Sequence, residues 1–109
     1  MEYTGFKLPL SDYEKGFLTA HFEAHLRFEN YKCQGNAWYE HLDDDMEWVG
    51  VQVGDRMFDI CIWLDTKDGK EKPEYPQDLV AVVYECHKNN AGEFTTDTST
   101  SWFLKEASE

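Results

Sequence analysis

His21 and His25 stand four residues apart in a stretch with helical spacing, so both imidazoles can emerge on one side, as in helices that offer ligands to zinc. The residues between them are Phe22, Glu23 and Ala24. The glutamate therefore sits second after the first histidine rather than directly after it, and the metalloprotease arrangement is not met. A metal would need a third ligand from His41, His87 or a cysteine. Histidines beside Phe17 and Phe28 more often lie at a core boundary with a hydrogen bond, and no metal or other cofactor is expected. Cys86-His87 has the residue types of a thiolate and its base, but neighbours on a strand point to opposite faces. Asp43-Asp44-Asp45 and Asp65-Thr66-Lys67-Asp68-Gly69 fall short of the alternating ligands of a calcium loop. The chain has no phosphate-cradling glycine loop, nucleophile elbow or dinucleotide fingerprint, and no catalytic residue is expected.

Carboxylates are the chemistry that remains. Residues 40–47 read Glu-His-Leu-Asp-Asp-Asp-Met-Glu, five acids in eight positions. Between Asn36 and Ile60 lie seven acids (Glu40, Asp43, Asp44, Asp45, Glu47, Asp55 and Asp59) and one base, Arg56; that net −6 is half the chain's −12. If extended, Asp43, Asp45 and Glu47 would point to one side about 6.7 Å apart, a spacing of the same order as a phosphate backbone. Trp38, Tyr39, Trp48 and Trp63 share this region. Tryptophan and tyrosine supply much of the energy of protein interfaces, while surrounding charges steer encounter. Trp38 and Trp102 are expected in the core, Trp48 and Trp63 either in the core or on a binding surface.

A charge this negative repels nucleic acid and anionic membranes, and the ten basic residues form no cluster that could displace counterions. The partner that charge implies is basic, including the surfaces by which other proteins hold nucleic acid. The expected function is therefore that of a small acidic binding protein, not an enzyme, which inhibits a basic nucleic-acid-handling protein. Phage or mobile-element anti-defence proteins, including anti-CRISPR inhibitors and nucleic-acid mimics, have this profile of size and charge. Immunity proteins against nuclease toxins share it and are one alternative; a small metal-binding protein or enzyme using His21 and His25 is another. Partner-binding residues are expected among Glu40, Asp43, Asp44, Asp45, Glu47, Asp55, Asp59, Trp48 and Trp63. No basic, apolar leader follows Met1 and no apolar run reaches the length of a membrane span, so a cytoplasmic protein is expected.

The elements that must position these groups are those of one α+β domain. With 109 residues, 41% of them hydrophobic, the chain can build one core. Cys33, Cys61 and Cys86 are odd in number and lie in or beside apolar stretches, as buried reduced thiols do. Ser11-Asp12-Tyr13-Glu14 is a capping box and should start a helix that ends near Glu29 or Asn30. Tyr13, Phe17, Ala20, Ala24 and Phe28 fall on one stripe of that helix, widened by Leu18, Phe22 and Leu26. Short strands are expected at Tyr31–Gln34 and Ala37–Leu42. Glu47–Val53 and Arg56–Leu64 should form a hairpin through Gly54-Asp55, with Val49 opposite Ile60 and Val51 opposite Phe58. Val49, Val51, Val53, Phe58, Ile60, Ile62 and Leu64 would then face the helix, and Trp48, Gln52, Met57, Asp59, Cys61 and Trp63 the other side. Asp65–Asp78 reads as an exposed connection. Leu79–Tyr84 reads as a central strand, with short strands at Glu93–Thr96 and around Trp102-Phe103-Leu104. The sum is one N-terminal helix on a mostly antiparallel meander of four to six strands.

Overall fold

The Ser11 amide donates to Glu14 Oε1 at 2.8 Å and the Glu14 amide donates to Ser11 Oγ at 3.1 Å, the two reciprocal bonds of a capping box. In the computed structural model, which describes residues 6–33, 36–65 and 77–106, this cap opens α1 (Asp12–Cys33). A short strand, β1 (Phe6–Lys7), precedes it, and a second helix, α2 (Asn36–Asp44), follows. Four strands complete the chain: β2 (Glu47–Val53), β3 (Arg56–Leu64), β4 (Leu79–Lys88) and β5 (Phe94–Lys105). They form an antiparallel meander, and β1 adds to its β5 edge in parallel, giving the order β1-β5-β4-β3-β2. The fold is α+β, with helices on one face of the sheet.

The hairpin has the register expected from its turn: Val49 pairs with Ile60, Val51 with Phe58, and Val53 with Arg56. Gly54 takes a φ of +61°, which a glycine adopts without a Cβ clash. Val51, Val53, Phe58, Ile60, Ile62, Leu64, Leu79, Ala81 and Val83 line the covered face, where they meet Leu18 and Phe22 of α1 and Trp38 and Leu42 of α2. Asn89 organises the turn into β5, its side chain accepting from the amides of Ala91 and Glu93. Most of the 65–78 connection lies outside the described residues. Its ends are tied by the Asp65 amide donating to the Asp78 carbonyl at 2.8 Å, and Asp78 is buried rather than exposed.

Four expectations are corrected. Helix α1 runs on to Cys33, and Ala37–Leu42 is helical, as is Tyr31–Cys33 of the other strand candidate; Gln34 lies outside the described residues. Trp38 and Leu42, four apart, fall on one side in either conformation, and what they bury against decides for the helix. The stripe of α1 that faces the sheet is Leu18, Phe22 and Leu26, with Glu29. Tyr13, Phe17, Ala20, Ala24 and Phe28 face outward. Finally, the residues expected in two short strands form one long strand, β5, whose pairing with β4 is interrupted by register shifts.

Candidate functional site

The sheet face turned away from the helices carries a row of side chains in register: Trp48 pairs with Cys61, Cys61 with Val82, and Val82 with Phe103. Trp63 and Tyr84 lie on the same face by strand alternation. Val80 and Val82 are buried beneath Trp63, Tyr84 and Phe103, which remain partly open to solvent. Trp48 leans over β3 onto Tyr84, with ring centroids 6.1 Å apart, yet keeps 48% of its surface exposed. Met46 reaches the same face, its Sδ 3.5 Å from Cys61 Sγ, and is also exposed. A tryptophan and a methionine thus stand open at the β2 edge, beside an aromatic layer. The sequence signal for the missing members, Tyr84 and Phe103, was that Leu79–Tyr84 is apolar on both alternations, which requires something to cover each face.

The acids expected to act together divide between several places. Glu40, Asp44 and Asp45 are exposed on α2 and its exit. Asp43 lies in the last turn of α2, so the extended row of Asp43, Asp45 and Glu47 does not form; the Asp45 amide still donates to His41 in helical fashion, at 2.9 Å. Glu47 turns inward, taking the Trp38 indole N–H on Oε2 at 3.0 Å, with His25 Nε2 2.8 Å from the same oxygen. Asp55 is exposed at the hairpin tip, at the far end of β2, about 20 Å away for six residues of strand. Asp59 is half-buried on the open face and accepts from Thr96 Oγ1. The acidic corner is therefore Glu40, Asp44 and Asp45, which lead directly into Met46 and Trp48.

At the junction of α1, α2 and β2, a ligand atom from each of His25, Glu29 and Glu47 lies within 4.8 Å of the others. His21, the expected partner of His25, is exposed on α1 and outside this group. Glu29, one turn beyond His25, takes the place that pattern-reading gave to His21.

Arg56 forms the other charged node. Its Nε and Nη2 bond both oxygens of Glu85, at 2.8 and 3.0 Å, and its Nη1 donates to Glu14 Oε2 at 2.9 Å and to the Pro9 carbonyl at 3.0 Å. The Ser11 amide first, and then Arg56, hold the Glu14 carboxyl below its usual range; the Arg56 bonds do the same for Glu85. This node ties the start of α1 to the middle of the sheet. Burial pushes the Cys61 and Cys86 thiols up to about 11, which suits structural thiols and not nucleophiles. His87 faces Asp97 at 3.3 Å, on the side opposite to buried Cys86.

No helix among the described residues is long and apolar enough to cross a membrane. Compared with protein-family models, curated proteins and solved structures, the chain matches none of them.

Proposed function

We propose that this chain is a non-catalytic binding protein that occupies the basic surface of a nucleic-acid-handling protein and thereby inhibits it. The observation that carries the reading is the exposure of Trp48 and Met46 directly beside Asp44 and Asp45. Apolar anchors bordered by charge of one sign suit a partner whose own surface combines Arg and Lys with apolar ground. The position of the acids supports it further. Asp44 and Asp45 lie at the carbonyl end of α2, where the helix dipole opposes negative charge. Acids needed only for solubility have less costly places on the surface, so their placement favours recognition.

In this reading Glu40, Asp44 and Asp45 steer the complex and pair with Arg or Lys. Trp48 and Met46 supply contact area, backed by Tyr84 and Trp63. Anti-defence proteins of phages and mobile elements, such as inhibitors of CRISPR effectors, act in this way, as do immunity proteins that neutralise nuclease toxins. The test is capture of partners from a native host lysate by wild type, Trp48→Ala and Asp44→Lys/Asp45→Lys proteins in parallel. Retention of one basic nucleic-acid-handling protein by wild type, and its loss from both variants, supports the reading. Identical capture by all three sinks it.

A further inference from the structure

We propose that His25, Glu29 and Glu47 form a site for one divalent transition-metal ion, at the junction of α1, α2 and β2. Glu29 is only 8% exposed, has no hydrogen-bond or ion-pair partner among the described residues, and directs an oxygen into a group that already holds the Glu47 carboxylate. Two carboxylates held this close repel one another, and little solvent reaches Glu29 to screen them. A cation between them would offset that repulsion. A dication balances both carboxylates and can take the imidazole nitrogen as its third protein ligand. Tetrahedral bonds of about 2.1 Å set ligand atoms about 3.4 Å apart, so separations within 4.8 Å need only rotamer adjustment to close on an ion. Trp38 Nε1–H, bonded to Glu47 Oε2, orients that carboxylate from behind, as outer-shell donors do in metal centres. One imidazole and two carboxylates suit zinc, manganese or iron better than calcium, with water in the remaining position. Because Glu47 lies between Met46 and Trp48, an ion here would also fix the entry to the aromatic edge.

The test is calorimetric titration of Zn2+ into chelator-treated protein, with Co2+ absorption to report coordination. One ion per chain, a raised melting temperature, and affinity lowered more than about tenfold by Glu29→Gln are expected. Glu29→Gln keeps the side-chain volume, and circular dichroism verifies its fold. Absence of Zn2+ binding, or binding equally tight in Glu29→Gln, overturns the site; the second outcome would assign the ion to exposed His21, His41 or His87.

A separate observation concerns the outward side of α1. Tyr13, Phe17, Ala20, Ala24, Phe28 and Tyr31 share a stripe about 80° wide at 100° per residue, and Tyr13 and Tyr31 are 72% and 83% exposed. In order the stripe reads Tyr-Phe-Ala-Ala-Phe-Tyr, a palindrome centred at the level of Phe22. We infer that it packs against the same stripe of a second copy, antiparallel about a two-fold axis, because an isologous interface requires this self-complementarity. The axis sets Ala20 against Ala24, which lets the helices approach closely, and Phe17 against Phe28, with Tyr13 near Tyr31. Charge agrees: α1 holds four acids and three bases, far from the density of the whole chain. Antiparallel pairing also places Asp12 and Glu14 of one helix at the level of Lys32 of the other and opposes the two dipoles. Light scattering should give twice the chain mass at high micromolar concentration, and Phe28→Asp and Ala24→Lys, at exposed positions, should each give a folded monomer. A wild-type monomer under those conditions, or a dimer that both variants retain, overturns the inference.

Discussion

Trp48 leans on Tyr84 across the full width of β3, so that a residue near the start of one strand is held by a residue two strands away. This fixes an exposed indole without burying it. A pre-positioned aromatic loses little entropy on binding, which is the property of an interface anchor.

Trp48→Ala should therefore remove more than about 2 kcal/mol of partner binding. The folded state should lose about 1–3 kcal/mol, from the aromatic pair and from the half of the indole that is buried. Calorimetry of the complex and urea unfolding of the free protein measure the two separately.

Neutralising the acids at the end of α2 should move stability and binding in opposite directions. Asp44→Asn and Asp45→Asn each relieve an unfavourable dipole contact and should stabilise the protein by about 0.3–1 kcal/mol at low salt. Both should weaken the complex, mainly through a slower association rate whose salt dependence becomes shallower. Urea midpoints at two ionic strengths and stopped-flow association provide the comparison.

The Arg56 node predicts acid sensitivity of a definite sign. Glu14 and Glu85 both titrate below their ordinary value of 4.5 in the folded state, through the Ser11 cap and Arg56 for Glu14 and through Arg56 for Glu85. Their contribution is fully present above the unfolded pKa and is lost as pH falls through the lower folded values. Stability should thus fall as pH drops below about 4.5. Arg56→Met should cost about 2–3 kcal/mol at neutral pH, from lost charge-assisted bonds, and should flatten the acid limb. Denaturation curves from pH 7 to pH 3 for both proteins test the sign and the slope.

Cys61 and Cys86 should resist modification, because their thiols are buried and titrate near 11. A thiol reagent at pH 8, followed by peptide mapping, should leave both unlabelled in the native protein and label both in urea.

Where local chemistry decided an outcome, the sequence was a sufficient guide. Ser11 and Glu14 cap α1, Gly54 turns the hairpin, and the Val49–Ile60 register follows from that turn. The errors arose where two arrangements satisfied the same pattern. Helix α1 is apolar on two sides, so periodicity could not tell Leu18-Phe22-Leu26 from the aromatic stripe; only the sheet, by covering one, separates them. Trp38 and Leu42 suit both periods. Glu47 looked like one more member of an acidic run, and its inward turn depends on His25 and Trp38, 22 and 9 residues away in the chain. Glu29 gave no signal, because a glutamate on a helix is ordinarily solvated and its burial is a tertiary outcome. The partition of the acids into corner, hairpin tip and open face likewise follows from α2, which a strand assignment concealed.

The proposed function has this chain compete with nucleic acid for a basic surface, and displacement measures that competition. The captured partner is loaded with fluorescently labelled nucleic acid, and anisotropy is followed as the purified protein is added. Wild type should release the nucleic acid, and Trp48→Ala and Asp44→Lys/Asp45→Lys should release little or none. A ternary complex, in which the protein binds and the nucleic acid stays, would contradict it.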